Sequence, residues 1–353
     1  MAYTTVDDGS EYFITTLYTG NATDDRSITN SANAGNFKPD WVWGKNRTSA
    51  GRHTLADSSR GPTKNLFSER ADAEATEADV LQAFETNGFQ IGSDTRLNDN
   101  NASFVAWQWK ANGGTTTTND ASSTGVGTID SVIQANTTAG FSIVTYTGNG
   151  SDNATVAHGL GKIPAMTIVK NRDDGDHWGV WHQSFAAHTS YNSLSQTITT
   201  INNDDIFKAF SSTLFTLGTD SWSNTNNEKY VVYAFAEIQG YSKFGSYTGT
   251  NNANGAFVYT GFKPAWVMVK RTADAARPWV IHDNTQDTFN VTANRLDANT
   301  SEENQSSGHF DFLSNGFKCR STEGATNAAS PYLYMAFAEH PFVSSKGVPT
   351  TAR

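Results

Sequence analysis

The sequence predicts an all-β protein built of three tandem antiparallel sandwiches, on three observations. A set of landmarks recurs three times in one order and at nearly constant spacing. Short alternating runs of large apolar residues lie between Gly-, Asn- and Thr-rich breaks. And 45 Thr and 32 Asn in 353 residues, with 29 Gly, suit strands and turns better than helical surfaces rich in Leu, Glu, Lys and Arg.

The first landmark is a Tyr-Thr-Gly turn at Tyr18, Tyr146 and Tyr247. The second is a Pro-led strand ending in Lys: Pro39 to Lys45, Pro164 to Lys170 and Pro264 to Lys270. Pro suits a strand's first residue, where no ladder donor is needed. Side chains alternate along a strand, so Trp41 and Trp43, like Met166 and Ile168 or Trp266 and Met268, share one large apolar face, the expected core face. The third landmark is a Phe pair five apart: Phe84 and Phe89, Phe210 and Phe215, Phe312 and Phe317. Asn-Gly sits inside the first and third pairs and supplies the positive φ of a tight hairpin turn. A closing strand ends each copy, around Ala106, Ala234 and Ala336. The distance from the turn tyrosine to that alanine is 88, 88 and 89 residues. In this alignment Trp109 stands where the other copies have Glu237 and Glu339.

These spacings divide the chain into sandwiches at 1–111, 140–239 and 240–339, each expected to hold its own core, with a tail at 340–353. The Gly/Ser/Thr-rich stretch at 112–139 reads as a flexible linker. Only Ile238 to Phe244 separate the second copy from the third, which predicts a tight joint. Ala71 to Ala83 is the one helix-tolerant stretch. The tail has little of its own to pack with and is expected to lie against another chain.

The charge balance, 35 Asp+Glu against 25 Lys+Arg, argues against nucleic acid as partner, and no basic cluster appears. The longest apolar run is Tyr230 to Ala236, too short to span a bilayer, and no signal peptide is read at the N-terminus. The single Cys319 excludes an intrachain disulfide. No Gly-x-Ser-x-Gly elbow, His-x-x-x-His pair or Gly-x-Gly-x-x-Gly loop is present, so no catalytic residue, cofactor or metal site is assigned. His177 and His182 are five apart, on opposite faces of any strand. The acidic turns at 98–101 and 202–205 lack a spaced calcium pattern and read as Asx turns.

Among the nine tryptophans, Trp41, Trp43, Trp107, Trp266, Trp178 and Trp279 fall on repeat positions and read as core. Trp109, Trp181 and Trp222 lie outside the template. They are the candidates for ligand or partner contact, Trp222 foremost because a hydrophilic loop surrounds it.

Lys38 to Arg47, Tyr146 to Pro164 with its His158-Gly159-Leu160-Gly161, Gly240 to Gly249 and the tail Gly347 to Arg353 resemble a repeated-domain family of tailed bacteriophages. It is common in phages of marine bacteria, among virion and tail-fibre-like proteins. The resemblance spans essentially the whole chain and implies concanavalin-like or jelly-roll sandwiches. It carries no activity and no functional residues with it. It implies a non-enzymatic virion protein, homo-oligomeric with a trimer as the default, contacting other virion proteins and a host cell-surface glycan. Capsid decoration or a neck or tail fitting is the alternative, and a glycan depolymerase ranks below both.

Overall fold

The computed structural model describes residues 3–30, 37–273 and 277–350, and these form an all-β sandwich fold with only short helical turns. The three copies build the same four-stranded inner unit. In the first the order is Phe13–Thr19, Ser103–Trp109, Trp41–Asn46 and Thr54–Asp57. In the second it is Phe141–Thr147, Lys229–Phe235, Met166–Asn171 and Gly179–His182. In the third it is Ser242–Thr248, Pro331–Pro341, Phe262–Arg271 and Trp279–Asp283. All pairs are antiparallel, so each Pro-led strand lies centrally, next to its closing strand.

The Phe pairs form hairpins of an outer layer, with Phe84 opposite Phe89, Phe210 opposite Phe215 and Phe312 opposite Phe317. A third outer strand joins each: Arg26–Thr29, Thr155–Ala157 and Phe257–Tyr259. In the third copy the strand Thr292–Asp297 joins inner and outer layers into one eight-stranded sheet.

The inner sheets are buried on both faces. Every residue of Trp41–Asn46 and of Met166–Asn171 is buried. The face carrying Val42 packs on its own outer hairpin, in a cluster with Ile28, Phe89 and Ile91. The face carrying Trp41 and Trp43 packs instead on the other two copies. One cluster holds Trp41, Trp43, Trp107 and Trp109 with Met166, Trp178, Tyr233 and Phe235, and with Trp266, Trp279 and Phe337. Trp41 stacks on Tyr233 at 4.2 Å, and Trp109 meets Trp266 edge-on at 5.7 Å. Copies one and two keep separate cores under their own hairpins, as expected from sequence; the shared centre is an addition, continuous with the core of the third copy. Fully buried aromatic surface of this size dominates core energetics.

The closing strands correct the alignment. The turn tyrosines lie opposite Phe104, Tyr230 and Tyr332. Trp109 is then the counterpart of Phe235 and Phe337, which lie opposite Met166 and Trp266 as Trp109 lies opposite Trp41. The sequence landmarks pair Trp107 with Phe235, two residues away. A two-residue slip keeps every side chain on its original face, so alternation cannot detect it.

The 112–139 stretch is built into the fold. Thr117–Asn119 and Ser131–Asn136 extend the second copy's sheet, the latter pairing with Phe141–Thr147 throughout. Asp120 caps the short helix Ala121–Thr124, and Gln134 bonds Ser58 and Ser59 of the first copy. Asp40 accepts from the Ala111 and Gly113 amides, pinning the entry to this stretch. Its Gly/Ser/Thr composition fits turns between short strands as well as it fits a free coil.

Two further expectations change. Residues 71–83 form no helix: Ala75–Thr76 pairs with Lys64–Asn65, and Leu81–Glu85 starts the outer hairpin. Glu74 is held in this segment by Arg60 of its own copy and by Arg172 across the boundary to the second, at 2.9 Å each. The tail packs on its own chain. Phe342 donates to Gly261, Ser345 to Asp7, and Val343 bridges Pro349. Residues 351–353 lie outside the described residues.

Candidate contact surface

Equivalent positions stitch the copies together in a closed cycle. At the start of each fourth inner strand stand His53 and Trp178, just before theirs, and Trp279, the first residue of its own. His53 Nε2 lies 3.2 Å from the Asp297 carbonyl, joining copy one to three. Trp178 Nε1 donates to Phe67 at 2.9 Å, joining two to one, and Trp279 Nε1 to Ser193 at 2.8 Å, joining three to two. A second cycle runs through Asp57, His182 and Asp283, which lie opposite Trp41, Met166 and Trp266. Tyr233 donates its hydroxyl to Asp57 at 2.8 Å and Trp107 its indole N–H to Asp283 at 2.9 Å; His182 Nε2 is 3.1 Å from the Tyr334 carbonyl. Arg60, its side chain fully buried, pairs with Asp57 and Glu74. Burial works against the charge on Glu74, yet Arg172 and Arg60 hold it below the usual carboxylate range.

The lysines ending the Pro-led strands, Lys45, Lys170 and Lys270, are all fully buried. Each donates to backbone carbonyls: Lys45 to Asn46 at 2.8 Å, Lys170 to Asp174 at 3.1 Å, and Lys270 to Arg277. Burial pushes their ammonium pKa values down to about 8, about 8 and about 7. Lys45 also donates to Ser301 of the third copy at 3.3 Å, which ties a strand end of one copy to another.

The tryptophans singled out from sequence are placed as follows. Trp109 is 1% exposed at the shared centre, and Trp181 is 3% exposed, stacked on Phe210 at 3.9 Å. Neither can touch a ligand, which corrects both expectations. Both lie on strands whose second face is covered, Trp109 by a neighbouring copy and Trp181 by its own hairpin. Trp222 is partly buried, edge-on to His177 at 5.5 Å and to Tyr191 at 5.7 Å, and closes one end of the second copy's core.

A groove of about 480 Å³ at the boundary of copies one and three brings Asp8 and Glu339 to one site. Both have structural work: Asp8 caps the turn Gly9–Glu11, and Glu339 pairs with Lys263 and accepts from Asn284. Among the described residues no group of three His, Cys, Asp or Glu side chains could hold a metal ion. No helix is long and apolar enough to cross a membrane.

The outer sheets differ where the inner ones agree. Ile28, Val156 and Val258 are equivalent, each facing inward opposite the second Phe of its hairpin. The residues flanking them differ between the copies, lying outside the core in copies one and three while Ala157 of copy two is buried. They are Ser27 and Thr29 in copy one, Thr155 and Ala157 in copy two, and Phe257 and Tyr259 in copy three. Phe257 is 48% exposed and Tyr259 53%. Across the sheet Tyr259 aligns with Gly316 and Leu313, and Phe257 with Lys318 and Asp311. At the far side Asn290 bonds both backbone atoms of Phe312 at 2.8 Å, which seats the exposed Phe289 and Val291 beside the same strand. Sequence reasoning missed this face because it counted strand aromatics as core. Aligning the residues around Val258 with those around Val156 and Ile28 exposes the contrast.

Fold and surface together define a rigid β-sandwich block with an aromatic centre and one apolar outer face. The chain belongs to the DUF7483 family, a domain of unknown function, whose model matches residues 8–341. No curated protein and no solved structure matches it.

Proposed function

We propose that this chain is a non-enzymatic structural protein of a bacteriophage virion, exposed on the particle, that attaches to the host surface through the outer face of its third copy. One observation carries the reading: exposed aromatics occupy positions where the other two copies have small or polar residues. An apolar face that a chain keeps exposed marks a contact site. The shared centre supports it, because a surface on a block with no internal hinge loses little freedom on binding. Homo-oligomerisation on the particle, with a trimer as the default, would multiply weak contacts into avidity. The test is binding of the recombinant protein to host cells, together with its location on purified particles by labelled antibody. Cell binding with surface labelling supports attachment. Tight binding to capsids without binding to cells makes the protein a decoration or cement component instead.

A further inference from the structure

We infer that the outer face of the third copy is a glycan-binding platform, on which Phe257 and Tyr259 stack against the C–H faces of sugar rings. The inference rests on the attachment reading and names its ligand class. Three features of the face point to a sugar. The first is ring geometry: Phe257 and Tyr259 are alternate residues on the outermost strand of the sheet, on the same face and about half exposed. Tyr259 adds a polar tip, the form of side chain that serves a ligand with both apolar and hydroxylated surfaces. The second is a trough. Gly316 lies between Tyr259 and Leu313 and carries no side chain, so none rises from that position of the row. The third is a polar rim. Asp311 and Lys318 share a row with Phe257, and Arg320 pairs with Asp311 at 3.2 Å, leaving donors and acceptors beside the rings. A small set of fixed polar groups on an apolar floor is the usual composition of a ligand site.

Size separates a glycan from a second protein copy. The face spans about four strands and two outward positions, roughly 15 Å by 7 Å. A stable protein pair covers about 800 Å² on each partner. The platform is too small for that and matches a few sugar rings.

The test uses the full chain and the double variant Phe257→Ser with Tyr259→Thr, which installs the residues of the first copy at positions about half exposed. The probe is a printed array of bacterial polysaccharides, with binding to whole host cells in parallel. The wild type is expected to bind polysaccharide, and the variant to bind at least tenfold more weakly while melting at the same temperature. Equal binding by the variant overturns the platform and leaves standing only attachment through another surface. Cell binding by the wild type without any polysaccharide binding overturns the glycan and again leaves attachment standing. Binding to neither overturns both. A wild type that is oligomeric by light scattering beside a monomeric variant makes the face a self-contact and overturns the inference.

Discussion

The inner and outer layers of the molecule treat the same repeat in opposite ways. On the inner sheets the positions of Trp41, Met166 and Trp266, and of Trp109, Phe235 and Phe337, stay large and apolar in all three copies, because each must fill the same shared centre. On the outer sheets the residues around Ile28, Val156 and Val258 change from small or polar to aromatic, because they fill no shared centre. Repetition therefore marks what packs, and departure from repetition marks where a partner can act.

The comparison can be broken most severely at the centre. Trp41→Ala removes an indole stacked on Tyr233 and Trp109, and should cost about 5 kcal/mol, the upper end for a buried aromatic truncation. Because the centre belongs to all three copies, calorimetry should show one lowered transition. Three separate transitions, with only one lowered, would restore three independent cores. Next comes Asp57→Ala, which leaves Arg60 buried beside Tyr233 with only Glu74 to pair it and should cost about 3 kcal/mol by urea denaturation. A cost near zero would mean that the polar cycle between copies is dispensable.

The buried lysines give a pH test. Lys270 has a folded pKa of about 7, below the ordinary value of 10.5. The unfolded chain therefore binds the proton more tightly across that window. Its contribution to stability is complete above about pH 10.5 and is lost as the pH falls through about 7. Melting temperature should rise less between pH 7 and 10 in Lys270→Met than in the wild type, and identical slopes would show the amine to be solvated. Smaller still is Trp222→Ala. It should lower stability by about 1–2 kcal/mol, through lost contacts with His177 and Tyr191, and leave cell binding unchanged. Weaker cell binding would return Trp222 to the contact surface. At the far end, Phe257→Ser with Tyr259→Thr should shift stability by under about 0.5 kcal/mol, as exposed substitutions do.

Much of the strand layer was legible in the sequence. Asn87-Gly88 and Asn315-Gly316 mark their hairpins, but the turns themselves are Thr86-Asn87 and Ser314-Asn315, and each Gly begins the return strand, Gly88 at φ 118°. The Pro-led strands are where alternation places them. Burial on the second face was not legible, because Val42 between two tryptophans looks the same whether its side meets water or a hairpin. Nor was the role of 112–139: Ser131 to Asn136 becomes a strand by pairing with Phe141 to Thr147, and that edge exists only once the sheet is formed. Two of the three contact candidates, Trp109 and Trp181, lie buried. Trp109 looked irregular only because its strand was aligned two residues out of place.

From the sequence alone follow the β class, the repeat, the hairpins and the large apolar face of each Pro-led strand, since all depend on the local period of side chains and on turn chemistry. The tertiary structure decided which copy covers which face. That choice added a shared centre to the copies' own cores, buried Trp109 there, and left Phe257 and Tyr259 about half exposed. Exposure belongs to what packs against a strand, and nothing in the strand's own residues states it.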